Sequence, residues 1–170
     1  MNQPAPFSVL DPNNLGSLPE QATLGQTEKF LVFTVGKLNL ALAVPIVERI
    51  LSYTPIHGSG TTASGIIHLQ DRSVTVVDLY QRLFKVKQPQ SSQSKQFLIL
   101  ARNSANESFG ILINETPSLF DVPLSQVRVL PDSYRHSDTL NMASHVMIIT
   151  NKDQSFTVFL LDSDRLISPG

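Results

Sequence analysis

The sequence predicts a mainly β protein built from many short strands. Four times, two runs of β-branched and aromatic residues flank a few turn-forming residues, which is typical of β-hairpins. Long runs with the period of an amphipathic helix are missing. Many short strands with turns between them indicate barrels or a sandwich and not a parallel α/β sheet.

Composition limits the class of protein. The chain has 170 residues, of which 41% are hydrophobic, and a chain of this size can bury a core without a metal or disulfide. It has no cysteine, which excludes disulfide scaffolds, zinc fingers and thiolate catalysis. The net charge of −1 and the absence of tryptophan argue against nucleic-acid binding. Only 16% of the residues are charged, so we expect partners to cover part of the apolar surface.

No export or membrane segment is expected. The first basic residue is Lys29, so the charged start of a signal peptide is missing. The longest apolar stretch, residues 40–47, is interrupted by Pro45 and is shorter than the roughly 20 residues of a membrane helix. These features predict a cytoplasmic protein without direct membrane insertion.

The first half of the chain is expected to follow a polar tail. Residues 1–28 contain four prolines and no apolar period, which predicts a flexible N-terminal tail with order beginning at Lys29. Residues 30–35 and 38–44 then form a hairpin across a glycine-first turn at Gly36. Residues 45–51 predict a short helix that exposes Glu48, with a strand that continues past the proline as the alternative.

A second hairpin and a capped helix complete this half. Residues 57–64 are read as a loop without the context of a phosphate site. Residues 65–70 and 73–77 pair across a turn at Asp71 and Arg72. Asp78 is expected to cap a short helix over residues 79–84. The expected buried residues are Val76, Val77, Leu79 and Leu83.

The second half repeats this pattern after a polar linker. Residues 85–96 are low in complexity and predict a linker or long surface loop. Hairpins are expected over residues 97–102 with 109–114 and over residues 145–149 with 156–161, with short extended pieces in 117–131 and a loop over 132–144. Residues 160–167 resemble residues 76–84 in having an apolar pair, Asp, a spacer and then Arg-Leu, which suggests an internal duplication.

The sequence gives no support for catalysis, a metal or a cofactor. The four histidines are not spaced at i, i+3 or i+4. A Gly-x-Ser-x-Gly motif is absent, and the carboxylates form no close pair in a pocket motif. We therefore expect neither an enzyme nor a cofactor-binding protein.

Several segments, in order, resemble the CheW-like chemotaxis adaptor family. The Val-Glu-Arg-Ile run at 47–50 is similar to the family's Val-x-Glu-Ile/Val segment. Gly-Ile-Ile-His-Leu at 65–69 with Val-Val-Asp-Leu at 76–79 is similar to its Gly-x-Ile-Asn-x-Arg-Gly and Pro-Val-x-Asp-Leu motif. Residues 110–114 and 160–167 resemble its later strands, so the resemblance covers about residues 29–168.

The resemblance implies two intertwined, five-stranded, SH3-like β-barrels, the first at about 29–84 and the second at about 97–168. It also implies a non-catalytic adaptor that couples the cytoplasmic tip of a chemoreceptor to the regulatory domain of a histidine kinase in chemotaxis, phototaxis or pilus-based motility. One departure bears on the partner, because Gln70 and Asp71 stand where the family has Arg-Gly.

A partner surface is predicted from the positions that match the family's contact segments. The residues assigned to it are Ile46, Val47, Glu48, Gln70, Asp71 and Arg72, with Ile111 and Ile113 as weaker candidates because they fit core positions equally well. Asp78 is assigned a structural role. The alternative function is a small β-barrel that binds a ligand in the groove between the barrels, which would need a pocket with convergent polar groups.

Overall fold

A computed structural model describes residues 25–53, 64–89, 95–137 and 139–167 of the chain. The first strand begins at Thr27, two residues before the expected start. The predicted tail at positions 1–24, most of the 57–64 loop and the middle of the 85–96 linker lie outside the described residues.

The described residues form a mainly β structure. The strands are β1 (Thr27–Val35), β2 (Leu38–Ala43), β3 (Val47–Tyr53), β4 (Ser64–His68), β5 (Ser73–Val77), β6 (Gln96–Arg102), β7 (Ser108–Ile113), β8 (Ser118–Pro123), β9 (Val127–Val129), β10 (Ala143–Asn151) and β11 (Gln154–Leu161). The helices are α1 (Leu79–Phe84), α2 (Asp132–Arg135) and α3 (Ser163–Ile167), and single 3-10 turns lie at Val44–Ile46 and Leu124–Gln126. The expected loop at 132–144 therefore contains one short helix.

All four predicted hairpins are confirmed as antiparallel pairs: β1 with β2, β4 with β5, β6 with β7, and β10 with β11. The first turn requires its glycine. Gly36 has φ +59°, and a Cβ at this position would lie 2.7 Å from the ring of Phe84. A left-handed backbone and a closely packed ring both favour a residue without a side chain.

The prediction of a helix over residues 45–51 is wrong, and the alternative prediction of a strand after the proline is correct. Pro45 lies in a single 3-10 turn, and β3 begins at Val47 and pairs with β6. Pairing with a neighbouring strand satisfies the backbone of this β-branched segment along its whole length, whereas a two-turn helix leaves most of its terminal groups unpaired.

The strands form two sheets with the same internal order. One sheet runs β3-β6-β7-β5-β4, and the other runs β8-β1-β2-β11-β10 with the short β9 added at its edge. In both sheets the only parallel pair described joins strands from different halves, β5 with β7 and β11 with β2. Each half of the chain therefore contributes its first hairpin to the sheet built mainly by the other half.

This exchange of hairpins accounts for the intertwined arrangement and agrees with the duplication suggested by the sequence. It also means that the sheets do not follow the barrel boundaries expected at 29–84 and 97–168, because β1 and β2 lie in one sheet with β8 to β11. The first sheet has the expected five strands, and the second has six because of β9.

Three clusters of buried side chains hold the sheets together. Phe30, Met147 and Leu160 belong to the cluster inside the six-stranded sheet. Val76, Leu98 and Leu100 belong to a smaller cluster inside the five-stranded sheet. The largest cluster lies between the sheets and draws residues from both, including Phe33, Leu40, Val77, Leu83, Ile99, Phe109, Ile111 and Ile113. Hydrophobic burial therefore joins the two halves into one folding unit.

Asp78 caps α1 as expected, because its carboxylate accepts a hydrogen bond from the backbone N–H of Gln81 at 3.0 Å. Val76, Val77, Leu79 and Leu83 are buried, as expected. The duplicated motif behaves in the same way at the end of the chain. Asp162 precedes α3 and accepts from the N–H of Asp164 at 3.0 Å.

Candidate functional site

A polar cluster crosses one end of the five-stranded sheet and is centred on Glu48. The register between β3 and β6 shifts between Val47 and Arg49, so Glu48 is the extra residue of a β-bulge. A bulge re-aims the side chain of the extra residue. Here the Glu48 carboxylate lies over the ends of the neighbouring strands β6, β7 and β5.

Three side chains from other parts of the sheet bind this carboxylate: one from the turn between β4 and β5, one from β6 and one from β7. Nη2 of Arg72 donates to Oε2 of Glu48 at 2.6 Å, and Nε of Arg102 donates to Oε1. The hydroxyl of Ser108 donates to Oε1 at 3.2 Å and accepts from Nη1 of Arg72 at 3.0 Å. We call Glu48, Arg72, Arg102 and Ser108 the Glu48 cluster.

The side chains of the Glu48 cluster differ in their exposure to solvent. The side chain of Glu48 is only 13% exposed, whereas those of Arg72 and Arg102 are 30% and 45% exposed. Burial by itself would raise the pKa of Glu48, but hydrogen bonds from Arg102 and Arg72 and their positive charges outweigh it and lower the pKa below its ordinary value. The carboxylate is therefore a charged anchor, and the guanidinium groups form the accessible surface.

Four of the predicted partner residues lie on or beside this cluster, and they differ in exposure. Glu48 contacts Arg72 directly, although it was expected to be exposed in a helix and is instead mostly buried. Gln70 and Asp71 are exposed in the turn that carries Arg72. Arg72, two positions beyond Gln70, is thus the arginine that completes the site.

The remaining predicted residues differ in exposure. Ile46 and Val47 are half-buried and pack against the cluster of side chains between the sheets. Ile111 and Ile113 are buried in that same core, so they cannot contribute to a partner surface. Because side chains alternate along β7, Ile111 and Ile113 both face the other sheet. Their burial shows that they occupy core positions.

Arg102 and Ser108 were not identified from the sequence. They are register partners at the open end of the β6–β7 hairpin. The available signal was a charged residue directly after the apolar run 97–101, opposite a polar residue directly before Phe109. That signal indicates a polar hairpin end, but it does not tell which carboxylate from another strand lies there.

The edge strand β3 carries two exposed residues, Arg49 and Ile50, and Ile50 is 40% exposed. The register with β6 pairs Arg49 with Leu100 and Ile50 with Ile99. Because paired residues share a face of the sheet, Arg49 lies on the face that also carries Arg102, and Ile50 lies on the opposite face.

A separate depression lies where the β1–β2 turn meets α1. Its volume is about 290 Å³, it is open to solvent, and it is lined by Thr34, Gly36, Tyr80, Gln88, Pro89, Asn114 and Glu115. Closed sites for small ligands bury most of the ligand and are lined mainly by apolar side chains. This depression does not have that form.

Two further properties concern the described part of the chain. Within it, no group of three or more histidine and carboxylate side chains could hold a metal ion. Nor does any helix in these residues have the length and apolar character needed to cross a membrane.

Two sheets of the same strand order, wrapped around a shared core, define a pair of SH3-like β-barrels. The family model for the CheW-like domain matches residues 29–169, and the chain therefore belongs to the CheW-like domain family.

The solved structures support the same fold. The scaffolding protein TtCheW from Thermoanaerobacter tengcongensis is similar, with a TM-score of 0.58 and 19% sequence identity over 81% of this chain and 91% of that chain. At this identity the similarity concerns the fold. Among curated proteins, no relative matches the sequence.

Proposed function

We propose that this protein is a cytoplasmic, non-catalytic adaptor that couples the cytoplasmic tip of a chemoreceptor to the regulatory domain of a histidine kinase. The observation that carries the proposal is the family match over residues 29–169, which includes both sheets and the core between them. Two small barrels offer strand edges and barrel surfaces as binding sites.

The partner surface in this proposal is the end of the five-stranded sheet around the Glu48 cluster. Glu48 binds Arg72 and Arg102, and the exposed guanidinium groups form the contact together with the edge strand β3, which carries the exposed Ile50. Arginine is enriched at protein–protein interfaces, and an edge strand offers unpaired backbone groups to a partner. Gln70 and Asp71 lie at its rim.

The experiment measures binding of the purified chain to a receptor cytoplasmic tip and to a kinase regulatory domain, each supplied separately. We expect the parent to bind both. Ile50→Asp should weaken binding of at least one of them by about tenfold, because a charge replaces the apolar anchor. Ile46 is less suitable for this test, since it also packs against the core and its replacement would disturb folding.

Ile148→Asp is the matched control, since Ile148 is 57% exposed but lies on β10 of the other sheet. It should leave binding unchanged. A parent that binds neither partner would contradict the adaptor function. Equal losses for the two variants would place the contact surface elsewhere.

A further inference from the structure

His145 is a buried titratable residue that the proposed partner surface does not use. It lies in β10, where the register with β11 shifts between Ala143 and His145. The bulge places four consecutive residues, 142–145, in buried positions. His145 is 4% exposed, so its imidazole is almost wholly removed from water.

One nitrogen of the ring has a hydrogen-bond partner and the other has none. Nδ1 of His145 lies 2.8 Å from the hydroxyl of Ser144, and this single hydrogen bond fits either neutral form of the ring. Nε2 is buried and has no hydrogen-bond partner among the described residues. A second proton would therefore create a buried cation with an unpaired donor.

Charged groups approach this ring from two packed elements. Arg135 of α2 opposes protonation, and Asp162, at the start of α3, favours it. Both are already paired, Arg135 with Asp132 at 3.9 Å and Asp162 with Arg165 at 3.5 Å. Burial is the main reason, and Arg135 the second, that the pKa of His145 lies below its ordinary value.

The same region is connected by backbone hydrogen bonds that can report on opening. The segment of residues 130–137 and 139–142, here called the edge segment, connects β9 to β10. The N–H of Leu130 donates to Ser144 at 3.0 Å, and the N–H of Asp162 donates to Met142 at 2.8 Å. These two bonds attach the edge segment to β10 and to the start of α3.

We propose that His145 is a proton-operated conformational switch, in which uptake of a proton by the ring releases the edge segment from β10 and exposes the ring to water. The switch is independent of the proposed adaptor function, because it depends on contacts among the six-stranded sheet, the edge segment and α3, and not on the Glu48 cluster. In the closed state the ring stays neutral. In the open state it takes up the proton at its ordinary value near pH 6.5.

Hydrogen exchange tests the switch in the full chain. Linkage to one proton predicts that the opening equilibrium of the Leu130 and Asp162 amides rises about eightfold between pH 7 and pH 5.5, after correction for intrinsic exchange rates. Amides of the β6–β7 ladder should show no such increase. His145→Phe should remove the pH dependence, whereas His68→Gln, which changes an exposed histidine of the other sheet, should retain it.

A second measurement applies even if His145→Phe does not fold. The ring protons of each histidine in the parent can be followed by NMR as the pH falls. We expect His145 to remain neutral in the closed protein below the ordinary histidine pKa of 6.5. A ring that titrates near pH 6.5 without loss of amide protection would overturn the proposal, as would equal pH dependence in the parent and His145→Phe.

Discussion

The guanidinium of Arg82 donates a hydrogen bond to the backbone carbonyl of Leu166, 84 residues further along the chain. A second N–H of Arg82 reaches the carbonyl of Arg165 at 3.4 Å. Arg82 thus satisfies the last carbonyls of α3, which no residue within that short helix can do. Helix α1, at the end of the first half of the chain, is therefore hydrogen-bonded to helix α3, at the end of the second half.

Arg82→Met is expected to lower the free energy of unfolding by about 1–3 kcal/mol, because a charged donor to otherwise unpaired carbonyls is lost while the apolar stem remains. Denaturant titration measures the loss, and hydrogen exchange should show faster exchange in α3. Arg49→Met is the control, since Arg49 is exposed. Equal losses in the two variants would contradict the capping role.

Glu48→Gln should destabilise the protein in a pH-dependent manner. The folded pKa of Glu48 lies below its ordinary value of 4.5, so the carboxylate contributes stability that is complete above that value and is lost as the pH falls through the folded pKa. The difference in unfolding free energy between parent and variant should therefore be largest at neutral pH and narrow below about pH 4.5. Glu115→Gln, at an exposed position, should show no such trend. If the difference in unfolding free energy between parent and variant did not change with pH, Glu48 would not stabilise the cluster as a charged carboxylate.

Asp78→Ala should cost about 1 kcal/mol of stability through the lost N-cap of α1. Thermal or denaturant unfolding measures it, with Asp71→Ala as the control at an exposed turn position. If Asp78→Ala instead left stability unchanged and abolished partner binding, Asp78 would have a contact role and the structural assignment would be wrong.

Gly36→Ala should destabilise the protein by about 1–2 kcal/mol from the left-handed backbone alone, and further through contact with the ring of Phe84. Lys152 provides the matched comparison, because it occupies the turn between β10 and β11 with φ +55° and already carries a Cβ. Lys152→Ala should change the midpoint of denaturation very little. A tolerated Gly36→Ala would show that α1 can shift away from the first hairpin.

Gln70→Arg should change the preference between receptor and kinase by about two- to fivefold without unfolding the protein, since an exposed charge at an interface rim has a small effect. The prediction rests on the proposed function and on the exposure of Gln70 beside Arg72. Binding assays with both partners measure the ratio. Gln126→Arg, at an exposed position in the 3-10 turn before β9, is the control, and an equal change in preference there would show that the effect of Gln70→Arg is not local.

Local patterns in the sequence were sufficient to predict most of the secondary-structure elements. Hairpins depend on neighbouring residues and turn chemistry, so the four pairs and the glycine-first turn at Gly36 could be predicted. Asp78 could be identified as a cap because capping acts over three residues. The segment after Pro45 could not be decided, because its apolar residues fit both a helix and a strand.

The tertiary structure alone decided which surfaces meet. Strand alternation gives Ile111 and Ile113 a common face, but only the packing of one sheet on the other shows that this face is buried. Glu48 lies on β3, Arg102 on β6 and Arg72 in the turn between β4 and β5, and the bulge in β3 with the exchange of hairpins brings them together. The sequence by itself therefore determined most secondary-structure elements, because those depend on interactions between residues close together in the chain. It also indicated the family, because that resemblance depends on short motifs. The site depends on contacts between residues 24 to 60 positions apart, which only the folded chain creates.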